Sequence, residues 1–404
     1  MKLFYGWVIV AAGMVITCIG MGSLMSLGVY VQPMAEAMGW SRAGISMAST
    51  LNFLAMGFGA FLWGTLSDRF GTRVVVLCGG LLLAAGLLAA SQVNTLWQFQ
   101  LVFGICIGLA AGSFYAPLIA TVTRWFTEHR SLAVALVSAG MSMGSFVIAP
   151  MSRWLINNHD WRYAMLTTGI VAAVVVIPAA LLVRRPPALA LVGSGSAGAD
   201  GHDYTMAQVI RTPQFAAIAL THFACCAAHS GPIFHLVSYA MDCGIPSMAA
   251  ATAFGAMGLA ALGGRILCGL IADRVGAKNT LVVGLAIQAI AVSLFVFTTG
   301  AASFYALSLL FGLSFGGVMP LYAILVREYF GAKIMGTAFG TVAMVSTLGM
   351  ALGPWGGGWI YDVFGSYFWL YIGSFGIGVG AVAIALTFRP PSRVPIAIPA
   401  AGMA

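Results

Sequence analysis

Charge is what this sequence has least of. Asp, Glu, Lys and Arg make up 7% of its 404 residues and hydrophobic residues 61%, whereas a soluble domain carries about a quarter charged residues. No hydrophilic block is long enough to fold on its own, which excludes a soluble enzyme or binding domain. Cysteine is sparse as well. The seven are odd in number, and all but Cys243 fall inside apolar runs with no CxxC or metal-ligand spacing. They read as reduced packing residues, so neither a disulfide framework nor a metal site is expected. Acidic residues number only ten, and each falls in a loop or at the edge of an apolar run. With no nucleotide loop to be found, the chain is expected to be neither an enzyme nor the holder of a cofactor.

What fills the chain is apolar length. Runs of about 18 to 26 residues recur twelve times, approximately at 6–30, 43–66, 74–91, 96–121, 132–155, 163–183, 214–239, 248–271, 279–299, 303–326, 335–358 and 367–388, the length of membrane-spanning helices. The first begins at Gly6 behind one lysine and exceeds a signal-peptide core, so it is read as a retained span. The net charge of +8 does not mark a nucleic-acid partner, because its placement is one-sided. With loops assigned alternately to two sides, only Arg42, Arg153 and Arg162 lie opposite the main body of Lys and Arg, and Arg265 lies between. The positive-inside rule then puts both termini in the cytoplasm. The absence of a long tail or glycosylated loop leads us to expect a bacterial inner membrane.

The halves repeat. GTLSDRFGTR from Gly64 matches GLIADRVGAK from Gly269 at an offset of 205, pairing Asp68 with Asp273, Arg69 with Arg274 and Gly71 with Gly276; a second match, at 203 to 204, aligns Arg124, Phe126 and Pro150 with Arg327, Phe330 and Pro354. Two parallel repeats imply two six-helix units about an axis along the membrane normal, with a site between them. The expected divisions are a bundle at 1–183, a flexible linker at 184–212 that opens Arg-Arg-Pro-Pro, a second bundle at 213–390 and a tail at 391–404. The fold class is an all-α membrane protein of twelve helices in two pseudo-symmetric bundles.

The G-x-L-x-D-R-x-G-x-R loop after span 2, repeated after span 8, resembles that of the major facilitator superfamily, and the resemblance covers the whole chain. Within it, GVYVQPMAEAMGWSR, RWFTEHRSLAVALVSAG and GGR with Gly269 and Asp273 behind it look like the monocarboxylate transporter and oxalate/formate antiporter branch. The resemblance implies that Arg265 binds a substrate carboxylate. Oxalate transporters of that branch add a lysine in span 11, but Met335 to Gly358 has no Lys or Arg, which favours a monoanion. Many animal monocarboxylate transporters carry an aspartate four residues before the arginine. Ala261 stands there instead, so the usual proton carrier is missing.

Arg265 also stands out without the resemblance. It is the one charge between Met248 and Ala272 and lies about 9 to 12 Å from the charged helix end at 1.5 Å per residue. A guanidinium so deep costs on the order of 3 kcal/mol or more on an isolated helix. It therefore faces a wet cavity and an anion, or else snorkels or pairs with a backbone carbonyl. Its counterpart 205 residues earlier is Ala60, so it does not belong to the shared scaffold. No carboxylate inside the membrane is on hand to neutralise it, and the planar donors suit both oxygens of an arriving carboxylate. Expected neighbours at the substrate site are Tyr115, Tyr322 and His235, with Asn52, Ser142 and Ser346 as weaker polar candidates.

Span 7 holds His222, His229 and His235. A histidine titrates near neutral pH, so His229 and His235 are the proton-coupling candidates, the latter just past a Gly231-Pro232 break expected to loosen the helix. Asp68 with Arg69, and Asp273 with Arg274, are expected to latch helix ends and bear on gating. The expectation is a monomeric, proton-coupled transporter of lactate- or pyruvate-like anions working by alternating access in a lipid bilayer. Anion exchange, drug export and anion sensing without transport are the alternatives.

Overall fold

The computed structural model describes residues 4–126, 130–184, 206–298, 300–331 and 334–388, which are α-helical with no strand among them. Among the described residues, twelve helices are long and apolar enough to cross a membrane: Tyr5–Met38, Arg42–Ser67, Thr72–Ala90, Leu96–Trp125, Leu132–Asn158, Trp161–Leu182, Pro213–Asp242, Ser247–Val275, Ala277–Phe297, Ala301–Phe330, Thr337–Phe364 and Phe368–Leu386. We number them spans 1 to 12. This is a multi-pass membrane protein.

Helix ends follow local chemistry. Ser41, Asp160 and Thr212 each accept a backbone N–H of the first turn of spans 2, 6 and 7, satisfying donors that the helix itself cannot pair. Spans 2 and 8 both stop at glycines with positive φ, Gly71 at 91° and Gly276 at 88°. The repeated D-R-x-G loop thus fixes the same corner twice, where a Cβ would be strained. Span 1 runs further than its apolar stretch, through Pro33 to Met38, because Gln32 and Glu36 bond one turn apart on its exposed side. A short helix, Met206–Ile210, lies in the segment read as a linker; residues 185–205 of that segment and the expected tail at 391–404 lie outside the described residues.

Glycine sets the packing within each half. Gly108 and Gly112 sit against the backbone of span 2, and Gly312 and Gly316 sit against span 8 at the corresponding crossing. Gly144 meets Cys18 of span 1 as Gly349 meets Phe223 of span 7. Such contacts let backbones approach closely in a membrane, where lipid is as apolar as leucine. Gly340 departs from this pattern. It has nothing within 4 Å of where a Cβ would stand.

The first six spans meet the last six mainly along span 2 against span 11 and span 5 against span 8. Following one helix face shows that they part. Gly57 meets Thr347 at 3.5 Å, but Gly64 and Gly340, two turns further along those faces, meet nothing within 4 Å. Gly255 and Gly258 rest on the span 5 backbone at Phe146 and Ser142, while Gly269 on the same face of span 8 is open. The halves are therefore closed where spans 1–2, 7–8 and 11–12 are joined, the latched end, and splayed toward the D-R-x-G loops, the open end.

Candidate functional site

Arg265 lies where spans 5 and 8 begin to part. It is half-buried, and its Nη1 donates to the Ser138 carbonyl at 3.5 Å, the limit of a hydrogen bond. Tyr115 reaches the same place from span 4, its hydroxyl 3.2 Å from Ser138 Oγ. Tyr115 opens the helix that resumes after a turn at Ser113–Phe114, which brings its side chain to span 5 with 38% of it exposed. Among the described residues no carboxylate contacts Arg265. Ser142 lies one turn beyond Ser138, buried where Gly258 of span 8 approaches. The arrangement can take a small planar anion on the guanidinium, with the Tyr115 hydroxyl as a second donor.

The other expected neighbours are held elsewhere. Tyr322 is fully buried, its ring stacked 3.9 Å from His222 and its hydroxyl 3.5 Å from the Thr221 carbonyl. Asn52 gives its amide to the Phe103 carbonyl at 2.9 Å and ties span 2 to span 4. Ser346 bonds back to Ala343 of its own helix. His229 is buried between Cys225, 3.8 Å from its Nδ1, and the ring of Phe315. Span 7 stays helical through Pro232 from Pro213 to Asp242, so the expected loosening before His235 does not occur; the partner span 11 packs closely there, with Gly353 against Ser230 and Gly231. Arg69, Asp273 and Arg274 are exposed at the open end and join no ion pair among the described residues, while the Asp68 side chain lies outside them.

At the latched end lies a constellation that sequence reasoning missed. Arg42, the first residue of span 2, grips Asp242 at the end of span 7 with two parallel bonds, Nη1 to Oδ2 at 2.9 Å and Nη2 to Oδ1 at 3.1 Å. Its guanidinium lies 3.6 Å above the Tyr361 ring, and Nη1 also donates to the Tyr367 hydroxyl at 3.1 Å. Asp362 of span 11 accepts the backbone N–H of Arg42 at 3.0 Å and of Ala43 at 2.8 Å, so a carboxylate from one half caps a helix of the other. Tyr367 then meets His235 Nδ1 at 3.1 Å, and His235 Nε2 meets the Pro354 carbonyl at 2.8 Å. Burial pushes the Tyr367 hydroxyl up and the nearby Arg42 charge pulls it down; burial wins, so it remains a donor. The repeat relates this latch to a milder one. Asn157 and Asp362 are 205 positions apart, as are Arg42 and Ser247, and Asn157 bonds Ser247 across the halves at 3.2 Å. One latch is neutral and the other charged.

The Major Facilitator Superfamily matches residues 12–354, with a second match over 269–402. The chain belongs to this superfamily. It is similar to monocarboxylate transporter 13 of Bos taurus, 27% identical over 365 residues covering 90% of this chain and 84% of that protein. It is similar also to monocarboxylate transporter 11 of Homo sapiens, 29% identical over 377 residues covering 90% and 78%. An MFS-type transporter of Escherichia coli, YhjX, is 23% identical over 336 residues, with 82% of each covered. The fold matches that of a bacterial homolog of the human lysosomal transporter Spinster, inward-facing and occupied, with a TM-score of 0.77 at 14% identity covering 96% of this chain and 97% of that one. The nucleoside transporter NupG gives the same score, with 95% and 99% covered. This superfamily member is thus a transporter related to monocarboxylate transporters and not an enzyme.

Proposed function

We propose that this transporter moves small monocarboxylates of the lactate or pyruvate kind by alternating access, with Arg265 as the carboxylate-binding residue and the open end facing the cytoplasm of a bacterial cell. The single observation that carries this reading is a guanidinium at the mouth of the splay with one marginal contact and no acidic partner among the described residues. A bound monoanion neutralises it, lowering the cost of closing a drier cavity around the charge. Tyr115 adds a donor from the other half, so the anion bridges the two halves as they close. The relatives named for monocarboxylate transport support the substrate class, and the one-sided Lys and Arg support the orientation. His229 and His235 are the proton sites of this reading.

The test is uptake of radiolabelled mono- and dicarboxylates by proteoliposomes, with and without a proton gradient. Saturable uptake of a short monocarboxylate, stimulated by external acid and abolished in Arg265→Gln, is the expected outcome. Preference for a cation or an uncharged solute, or full uptake by the Gln variant, would overturn the reading.

A further inference from the structure

We propose that His235 is wired through Tyr367 to the Arg42–Asp242 latch, so that a proton on His235 releases the latched end. This deepens the transport reading above and rests on it only for the direction in which the gate faces.

The direction of each bond follows from what each atom can do. The Pro354 carbonyl only accepts, so His235 Nε2 carries the hydrogen at 2.8 Å. Nδ1 of the neutral ring is then an acceptor and takes the Tyr367 O–H at 3.1 Å. That leaves the phenol oxygen free to accept from Arg42 Nη1 at 3.1 Å, and the remaining guanidinium donors hold Asp242. The chain is complete with no orphaned partner, and it requires a neutral imidazole.

A proton taken from the aqueous phase onto Nδ1 reverses one link. Nδ1 becomes a donor, the Tyr367 O–H must turn away, and two cations then bracket one phenol oxygen. The repulsion falls on Arg42, whose grip on Asp242 closes the halves. Other charges around His235 offset it only in part, the Arg42 repulsion outweighing the attraction of Asp362. Asp362 of span 11 is committed to the N-terminus of span 2. Tyr361 lies under Arg42. Tyr239, one turn on in span 7, donates to the Phe295 carbonyl and packs on Tyr371 of span 12; on span 1, Gly28 meets the backbone of Phe234. The counterpart latch, Asn157 with Ser247, is neutral, so the two latches differ in pH response.

The experiment measures the latched end directly, without substrate, and so is independent of what Arg265 binds. Spin labels go on Gln92→Cys and Ala302→Cys, exposed positions in the 3–4 loop and in the first turn of span 10, one on each half, in a Cys78→Ser, Cys243→Ser background that removes the exposed native thiols. Between about pH 8 and about pH 5, the range over which a histidine titrates, the ratio of long to short distances is expected to rise about tenfold, as the loss of one charge-assisted bond implies. His235→Gln keeps both bonds, its amide N–H to Pro354 and its oxygen toward Tyr367, and is expected to stay closed at both pH values. Tyr367→Phe removes only the connecting hydroxyl and is expected to respond to acid less than twofold. An unchanged distance distribution in the parent, or an undiminished acid response in either variant, would overturn the proposal. If the distances respond as expected while Arg265→Gln still transports, the substrate reading alone has failed.

Discussion

At the scale of the residue, Arg265 and Tyr115 are asked to do different things. Arg265 supplies a charge and two parallel donors, so Arg265→Lys keeps the charge and loses the fork. A charge-assisted bond is worth about 1.5 to 3 kcal/mol, so kcat/KM for carboxylate uptake is expected to fall at least about tenfold in that variant. Tyr115→Phe removes one neutral donor and is expected to raise KM about threefold with little change in the maximal rate. Equal losses in the two variants would mean that the site does not read the carboxylate as a planar ion. Arg265 was legible in the sequence because a lone charge in an apolar run has few explanations. Arg42, Asp242 and Asp362 were not, because charge is ordinary at the edge of a span and nothing in spacing pairs residues 200 and 320 apart. The available signal was the offset of 205 itself: applied to Asn157 and Ser247 it lands on Asp362 and Arg42, exchanging a neutral pair for a charged one. Tyr322 and Asn52 failed to reach the cation for the opposite reason. A polar group at the right depth still faces whichever way its helix is turned, and that is decided by packing with neighbours.

At the scale of the element, glycines divide the helices into faces that touch and faces that open. A Cβ at Gly312 would stand 2.3 Å from the Met257 carbonyl oxygen, whereas one at Gly64 would meet nothing within 4 Å. Gly312→Leu is accordingly expected to cost roughly 3 kcal/mol or more of stability. Gly64→Ala should gain up to about 1 kcal/mol from helix propensity. Thermal unfolding in detergent separates them, and similar midpoints for both would mean that the splay at Gly64 does not persist in solution. Helix existence was readable from apolar length alone. Helix ends were less so, since span 1 gains its last eight residues, from Val31 to Met38, through a polar flank that hydropathy discounts. Nothing in the sequence separates Gly340, on an open face, from the packing glycines, because the residue is the same on a touching face and on an open one.

At the scale of the molecule, the repeat fixes the architecture, and in the proposed mechanism its broken symmetry carries the function. Equivalent glycines, corners and crossings build two alike bundles; Arg265 against Ala60 and the charged latch against the neutral one are where the bundles differ. Two faces then have separate tasks, and a cross-link can uncouple them. The Asn157 and Ser247 side chains already touch across the halves at the latched end, so a short thiol cross-link between Asn157→Cys and Ser247→Cys, in a Cys243→Ser background, should fix that end shut. Binding from the open end needs no movement there, so the Kd for a monocarboxylate measured in detergent is expected to change less than about twofold. Net uptake into proteoliposomes requires the latched end to open and is expected to fall below about a tenth, returning when the cross-link is reduced. Retained uptake in the cross-linked protein would place the moving seam elsewhere, whereas loss of binding along with uptake would mean that substrate enters through the latched end, and that the splay seen at the D-R-x-G loops is not its route.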